Sequence, residues 1–167
     1  AGYAVGIQLA SMMALACDNS RVFNMNFNEG ASSLTREGST ITHHQLSHDE
    51  VFDKRLGYQP DFTFFVNKIM DGWAYFVKAL DSVKEGDRTL LDNMIVFAHS
   101  ETEFAKFHTI DNIPMMTAGS GGNRIKTGIR VDGQGSPVSR VGLTLQQAMG
   151  VSVDLVRAQG DAVSSRI

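Results

Sequence analysis

The chain has 167 residues, a length that suits one domain able to bury a continuous core. With 43% hydrophobic residues, 20% charged residues and a net charge of −3, it reads as a soluble globular protein. It has no basic face for phosphate backbones, so nucleic acid is not an expected partner, and the sole cysteine, Cys17, rules out an internal disulfide.

The opening Ala1-Gly2-Tyr3-Ala4-Val5-Gly6-Ile7 lacks an initiator methionine and a basic flank, and reads as cut from something longer. The apolar stretch Leu9 to Cys17 follows, interrupted by Ser11 and stopped at Asp18. It is too short and too polar to span a membrane, and is expected to be a buried helix. In Arg21 to Phe27, Phe23, Met25 and Phe27 alternate with Asn24 and Asn26, the period-two pattern of a strand with one buried face. From Asn28 to Glu50 periodicity gives way to Gly, Ser, Thr and His, which predicts a long loop of the kind that carries binding or function.

Pro60 opens the strongest amphipathic segment, with Phe62, Phe65, Ile69, Trp73, Phe76, Val77 and Leu80 at three- and four-residue steps and Lys68, Asp71, Lys78 and Asp81 on other faces. This predicts a long helix packed on a sheet by its aromatic stripe, ended by a turn at Gly86-Asp87. Met94 to Ala98 is an unbroken apolar run, as expected of a strand buried on both faces of a parallel sheet, and Ile113 to Ala118 is a second strand with its proline early. Gly119 to Asn123 reads as a tight connecting turn rather than an anion-binding nest, since no clear helix and no phosphate-loop lysine follow. Val138 to Met149 is a helix with Val141, Leu145 and Ala148 inward and Gly150 as its stop signal, and the tail after Asp154 shows little apolar periodicity. The alternation of helix and strand predicts a layered α/β fold.

All five histidines fall between His43 and His108. His44 and His48, four residues apart, are spaced to offer two ring nitrogens to one ion from a helical turn or compact loop. His99 follows an apolar strand at its carboxyl end, where ligands bind in open α/β sheets, and Ser100, Glu101 and Glu103 stand beside it. The cluster of imidazoles and carboxylates suggests a metal site, with His44 and His48 the candidate ligands of a divalent ion such as zinc. Glu101 and Glu103 are the candidate catalytic carboxylates, as ligand or general base. Their plainer alternative is a pair of solvated loop carboxylates, with His43 a neighbour rather than a ligand.

Several runs carry a further resemblance: Leu15-Ala16-Cys17-Asp18-Asn19-Ser20-Arg21-Val22, His43-His44-Gln45-Leu46-Ser47-His48, Gly86-Asp87-Arg88-Thr89-Leu90-Leu91-Asp92-Asn93, His108 with Asn112-Ile113-Pro114, Ala118-Gly119, and Ala148-Met149-Gly150-Val151. In this order they resemble the carboxyl-terminal half of an exported bacterial domain-of-unknown-function family, number fifteen fifty-two, itself similar to the alkaline phosphatase and sulfatase superfamily. The resemblance implies an alkaline-phosphatase-like layered α/β/α sandwich, of which this chain is the carboxyl-terminal part. It also implies a twin-arginine export signal, a periplasmic or secreted location, and a metal-dependent hydrolase acting on a small phosphate or sulfate ester. By position, His44 and His48 stand for the superfamily's Asp-x-x-x-His pair, His99 and Ser100 for its Asp-His pair, and His108 for its last histidine, so the resemblance implies His44, His48, His99 and His108 as metal ligands. Neither aspartate of that pattern is present. The nucleophile would lie in the missing amino-terminal half, and either that half or another protein chain is the expected partner. The competing expectation is a catalytically degenerate subunit kept for structure or partner binding in an exported complex.

Overall fold

The computed structural model describes residues 11–152, together with the backbone of residues 155–158 and 161–164. The opening residues and Asp154, on which some expectations rest, lie outside these. The fold is mixed α/β. In chain order it runs through α1 (helical residues 11–16), α2 (His43–Asp49), α3 (Pro60–Ser82), β1 (Lys84–Glu85), β2 (Arg88–Thr89) and α4 (Leu90–Asn93). It continues with β3 (Val96–His99), a 3-10 turn (Ala105–Phe107), β4 (Met115–Ala118), α5 (Ser139–Ala148), β5 (Leu155–Ala158) and β6 (Asp161–Ser164). Among the described residues the strands form three separate antiparallel pairs, β1–β2, β3–β4 and β5–β6. Among the described residues no helix is long and apolar enough to cross a membrane. The chain divides into two compact units, Ala1–Val83 with Phe104–Thr109 and Lys84–Glu103 with Ile110–Ile167.

In the first unit, α1 ends where Asp18 turns left-handed at φ 53°. The Asp18 N–H then donates to the Leu15 carbonyl and the Asn19 N–H to the Ala14 carbonyl, at 3.1 and 2.9 Å, the paired bonds that satisfy the last carbonyls of a helix. Only Ser11 of this segment is buried and Met13 is 61% exposed, so the helix is less buried than its composition suggests. Residues 21–27 alternate as a strand would, yet they are irregular and Val22 is largely exposed. Alternation supplies a face but not a partner, and no described strand pairs with it.

The expected loop at 28–50 contains α2. Thr42 accepts from the Gln45 N–H at 3.1 Å while its own N–H donates to Gln45 Oε1 at 3.0 Å, a reciprocal capping box that satisfies two donors at the start of the helix. The chain reaches this start through backbone bonds from His43 to Leu34 and from His44 to Ser32.

α3 forms where the periodicity places it. Phe65, Phe76 and Leu80 are buried, Phe62, Ile69, Trp73 and Val77 are half-buried, and Lys68, Asp71, Lys78 and Asp81 are exposed. Its partner within the unit is α2 rather than a sheet. The two helices cap each other. The Glu50 carboxylate, at the C-cap of α2, accepts from the N–H groups of Asp61 and Phe62 at 2.8 and 2.7 Å. Gln59, at the N-cap of α3 and 4% exposed, donates from Nε2 to the carbonyls of Leu46, Ser47 and Glu50. Each helix thus takes from the other the groups its own end lacks.

In the second unit, Gly86 and Asp87 close the β1–β2 hairpin, with Gly86 at φ 61° in the first central position, where a two-residue turn needs a positive φ. β3 differs from expectation. It pairs antiparallel with β4, and its residues alternate half-buried and exposed, so it is not buried on both faces. Pro114 precedes β4 and its carbonyl accepts from the Ser100 N–H, consistent with the early position expected of it. The Gly119 to Asn123 segment is a turn. The Gly121 N–H donates to the Met94 carbonyl at 3.0 Å and the Gly122 N–H to that of Asp92 at 2.8 Å, so these donors are engaged with backbone and do not form an anion nest. A Cβ on Gly119 would run into the carbonyl oxygens of Met94 and Leu91, and the φ of 80° there also favours glycine. α5 buries Leu143 and Ala148, and it ends at Gly150 with φ 83°, the Val151 N–H reaching back to the Gln146 carbonyl. The β5–β6 hairpin lies in the tail, where apolar periodicity is weak.

Candidate functional site

The helical turn of α2 places His44 and His48 on one face, one above the other, as a spacing of four residues requires. Their rings meet edge to face with centroids 4.8 Å apart. His108, sixty residues further on, closes the group: its ring centroid is 5.0 Å from that of His48, and the two Nε2 atoms are 3.4 Å apart. His108 ends the 3-10 turn in a left-handed conformation, φ 53° and ψ 38°, with its N–H donating to the Ala105 carbonyl. A non-glycine residue in this region carries a cost of about 1 kcal/mol, which the surrounding bonds must offset. All three histidines belong to the first unit.

Two neutral imidazoles cannot face each other lone pair to lone pair at this distance. Either one ring donates a proton across the gap or a cation lies between them. Two nitrogens each about 2.0–2.1 Å from one tetrahedral zinc stand roughly 3.3–3.4 Å apart, so the His48 and His108 spacing fits a shared ion. His44 is oriented by the Gly30 carbonyl, 2.8 Å from its Nδ1. A proton on Nδ1 makes that bond and leaves Nε2 with its lone pair, the arrangement in which histidines ordinarily serve as ligands. Among the described residues no three His, Cys, Asp or Glu side chains already converge into a complete cage. The donor set is therefore a pair, with a third imidazole against it.

His43 has a different environment. It is 8% exposed, its ring 4.9 Å from that of Phe62 and 5.3 Å from that of Phe65, and its Nδ1 is buried without a hydrogen-bond partner. Burial lowers its pKa below the ordinary imidazole value of 6.5, and the neighbouring His44 lowers it further. His43 is a core residue.

The other sequence candidates lie in the second unit. His99 is the last residue of β3, exposed, stacked on Phe97 with centroids 5.3 Å apart, its Nδ1 3.1 Å from the Ser100 carbonyl. Glu101 is exposed. Glu103, also exposed, accepts from Asn112 Nδ2 at 3.2 Å. The structure thus brings His44, His48 and His108 together in one unit and places His99, Glu101 and Glu103 in the other. Thr42, Glu50 and Gln59, which hold α2 in place, are absent from the sequence candidates. Thr42-x-x-Gln45 is a capping-box signature that marks the helix start in the sequence itself.

Comparison with protein-family models, curated proteins and solved structures finds no match to this chain.

Proposed function

We propose that the protein is the carboxyl-terminal part of an alkaline-phosphatase-like hydrolase, exported to the periplasm or beyond, that acts on phosphate or sulfate esters with the help of a divalent metal. One observation carries this reading: two imidazole Nε2 atoms, His48 and His108, held 3.4 Å apart by separate segments of chain, with His44 against the first. In the proposal these three residues hold the metal, zinc being one of the divalent ions that imidazole ligands suit. A bound divalent ion would polarise an ester oxygen and lower the pKa of water. His44, kept in its Nδ1–H form by the Gly30 carbonyl, would orient its free nitrogen, and His48 and His108 would offer the lone pairs of their Nε2 atoms. His99, Glu101 and Glu103, the other candidates of the sequence, belong to the second unit and are not assigned to this ion. The nucleophile is assigned to an amino-terminal half or a partner chain.

A second reading has its own support. Val51 and Phe107, both in the first unit, are each more than two-thirds exposed. Apolar surface of this kind fits a degenerate subunit that binds another protein.

Element-resolved metal analysis of natively purified protein distinguishes the two. Near-stoichiometric metal, lost in His48→Ala, is the expected result, followed by turnover of an aryl phosphate or sulfate. Absence of metal above background would overturn the hydrolase reading and favour the partner-binding one.

A further inference from the structure

His48 and His108 are carried by two elements that share no secondary structure, so something must hold those elements together. The segment carrying His108 is closed on itself: the Phe104 N–H donates to Thr109 Oγ1 at 3.1 Å, and the Thr109 N–H points back to the Phe104 carbonyl at 3.4 Å. Phe104 and Phe107 touch edge to face, centroids 5.5 Å apart, and Phe104 lies 6.2 Å from Phe52, just beyond α2. These contacts are apolar and tolerate sliding. Beside the contact of the two imidazoles themselves, a directed bond crosses from this segment to α2: Lys106 Nζ donates to the Glu50 carbonyl at 3.4 Å. Glu50 is the C-cap of α2, two residues beyond His48, and Lys106 lies two residues before His108. The same carbonyl accepts from Gln59 Nε2 at 2.9 Å, so it is anchored to the start of α3 and gives Lys106 a stationary target. A cation at the carboxyl end of a helix is also favoured by the helix dipole. Lys106 is half-buried, so its charge is directed at this carbonyl with less competition from water.

We infer that Lys106 is a positioning residue, which sets the ring of His108 against that of His48 by tying the two-residue approach to each histidine to the single carbonyl of Glu50. The geometric claim concerns the two rings and holds with or without an ion. Its consequence for metal affinity rests on the function proposed above. Lys106 does not touch the nitrogen pair. It acts through the placement of His108, whose left-handed backbone has no regular hydrogen-bond ladder to hold it.

Two measurements on the full chain separate this inference from the metal reading. In imidazole NMR spectra of the metal-free protein, cross-relaxation between the His48 and His108 rings is expected in the wild type and in Lys106→Arg, and is expected to vanish in Lys106→Met, while the thermal midpoints of all three stay within a few degrees. Ring contact retained in Lys106→Met would overturn the inference. So would its failure to return in Lys106→Arg, or its loss only together with the fold. In the second measurement, cobalt(II) is titrated as a spectroscopic probe of the nitrogen donors. About tenfold weaker binding in Lys106→Met, with an altered visible spectrum, is the expected result, since groups that orient ligands typically contribute tenfold or more. Cobalt binding that is equal in wild type and Lys106→Met but lost in His48→Ala would overturn the inference while the metal reading stands. No cobalt binding by the wild type, with the ring contact still dependent on Lys106, would overturn the metal reading alone.

Discussion

His43 and His44 are adjacent in the chain, yet one is enclosed by Phe62 and Phe65 and the other keeps a hydrogen bond from a half-buried ring. The difference has a consequence that titration can read. Because burial depresses the pKa of His43 from 6.5, the unfolded chain takes up a proton below that pH that the folded chain refuses. The contribution of a neutral, buried His43 to stability is therefore complete above about pH 6.5 and is lost as the pH falls from there toward the depressed folded value. Chemical denaturation from pH 7.5 to 5 should show wild-type stability falling more steeply than that of His43→Phe. Parallel curves for the two proteins would remove His43 from the acid sensitivity. The spacing of His44 and His48 is legible in the sequence. The sorting of His43 into the core depends on Phe62 and Phe65, which approach it only through the packing of α2 on α3.

The corner between α2 and α3 depends on two side chains that no periodicity singles out. Gln59 satisfies three carbonyls from inside the unit, and the Glu50 carboxylate satisfies two N–H groups at the start of α3, whose own N-cap makes no side-chain capping bond. Gln59→Ala should therefore cost about 1–3 kcal/mol, chiefly because the buried Ser47 carbonyl loses the Gln59 donor, while those of Leu46 and Glu50 keep the Glu50 N–H and Lys106 Nζ. Gln59→Glu should cost at least as much, since a carboxylate cannot donate to them. Urea midpoints measure both, and a Gln59→Glu protein as stable as wild type would mean that the amide is not the donor. Proline at the first position of α3 announces that helix, and its stripe of apolar residues announces which face is buried. α2 is less visible because seven residues hold too little periodicity to outweigh the Ser, Thr and His around them, although its capping box is written in the chain. Residues 21–27 show the reverse error: an alternating pattern suffices to suggest a strand, but a strand exists only where another supplies the ladder.

At the scale of the whole molecule, each compact unit has, among the described residues, one large side chain completely withdrawn from water, Leu80 in the first and Leu143 in the second. Leu80→Ala and Leu143→Ala should each destabilise by about 2–5 kcal/mol, transfer cost plus the cavity left behind, as read by thermal or urea unfolding. A loss below about 1 kcal/mol at either position would show that its surroundings collapse to fill the space. Leu80 belongs to the stripe that the sequence already displays. Leu143 falls between Val141 and Leu145, the residues that periodicity turns inward, and its burial depends on how α5 is rotated within its unit. By itself the sequence determined where α3 runs, that Gly86 and Gly150 are stopping points, and that Gly119 to Asn123 is a turn. Each follows from local backbone preference or from the repeat of one element, and both act over a few residues. Tertiary structure alone decided that β3 runs antiparallel to β4, that Gln59 and Glu50 exchange caps, and that His108 meets His48 across sixty residues of chain. Those outcomes depend on which surfaces are brought together, and no stretch of sequence contains both sides of such a contact.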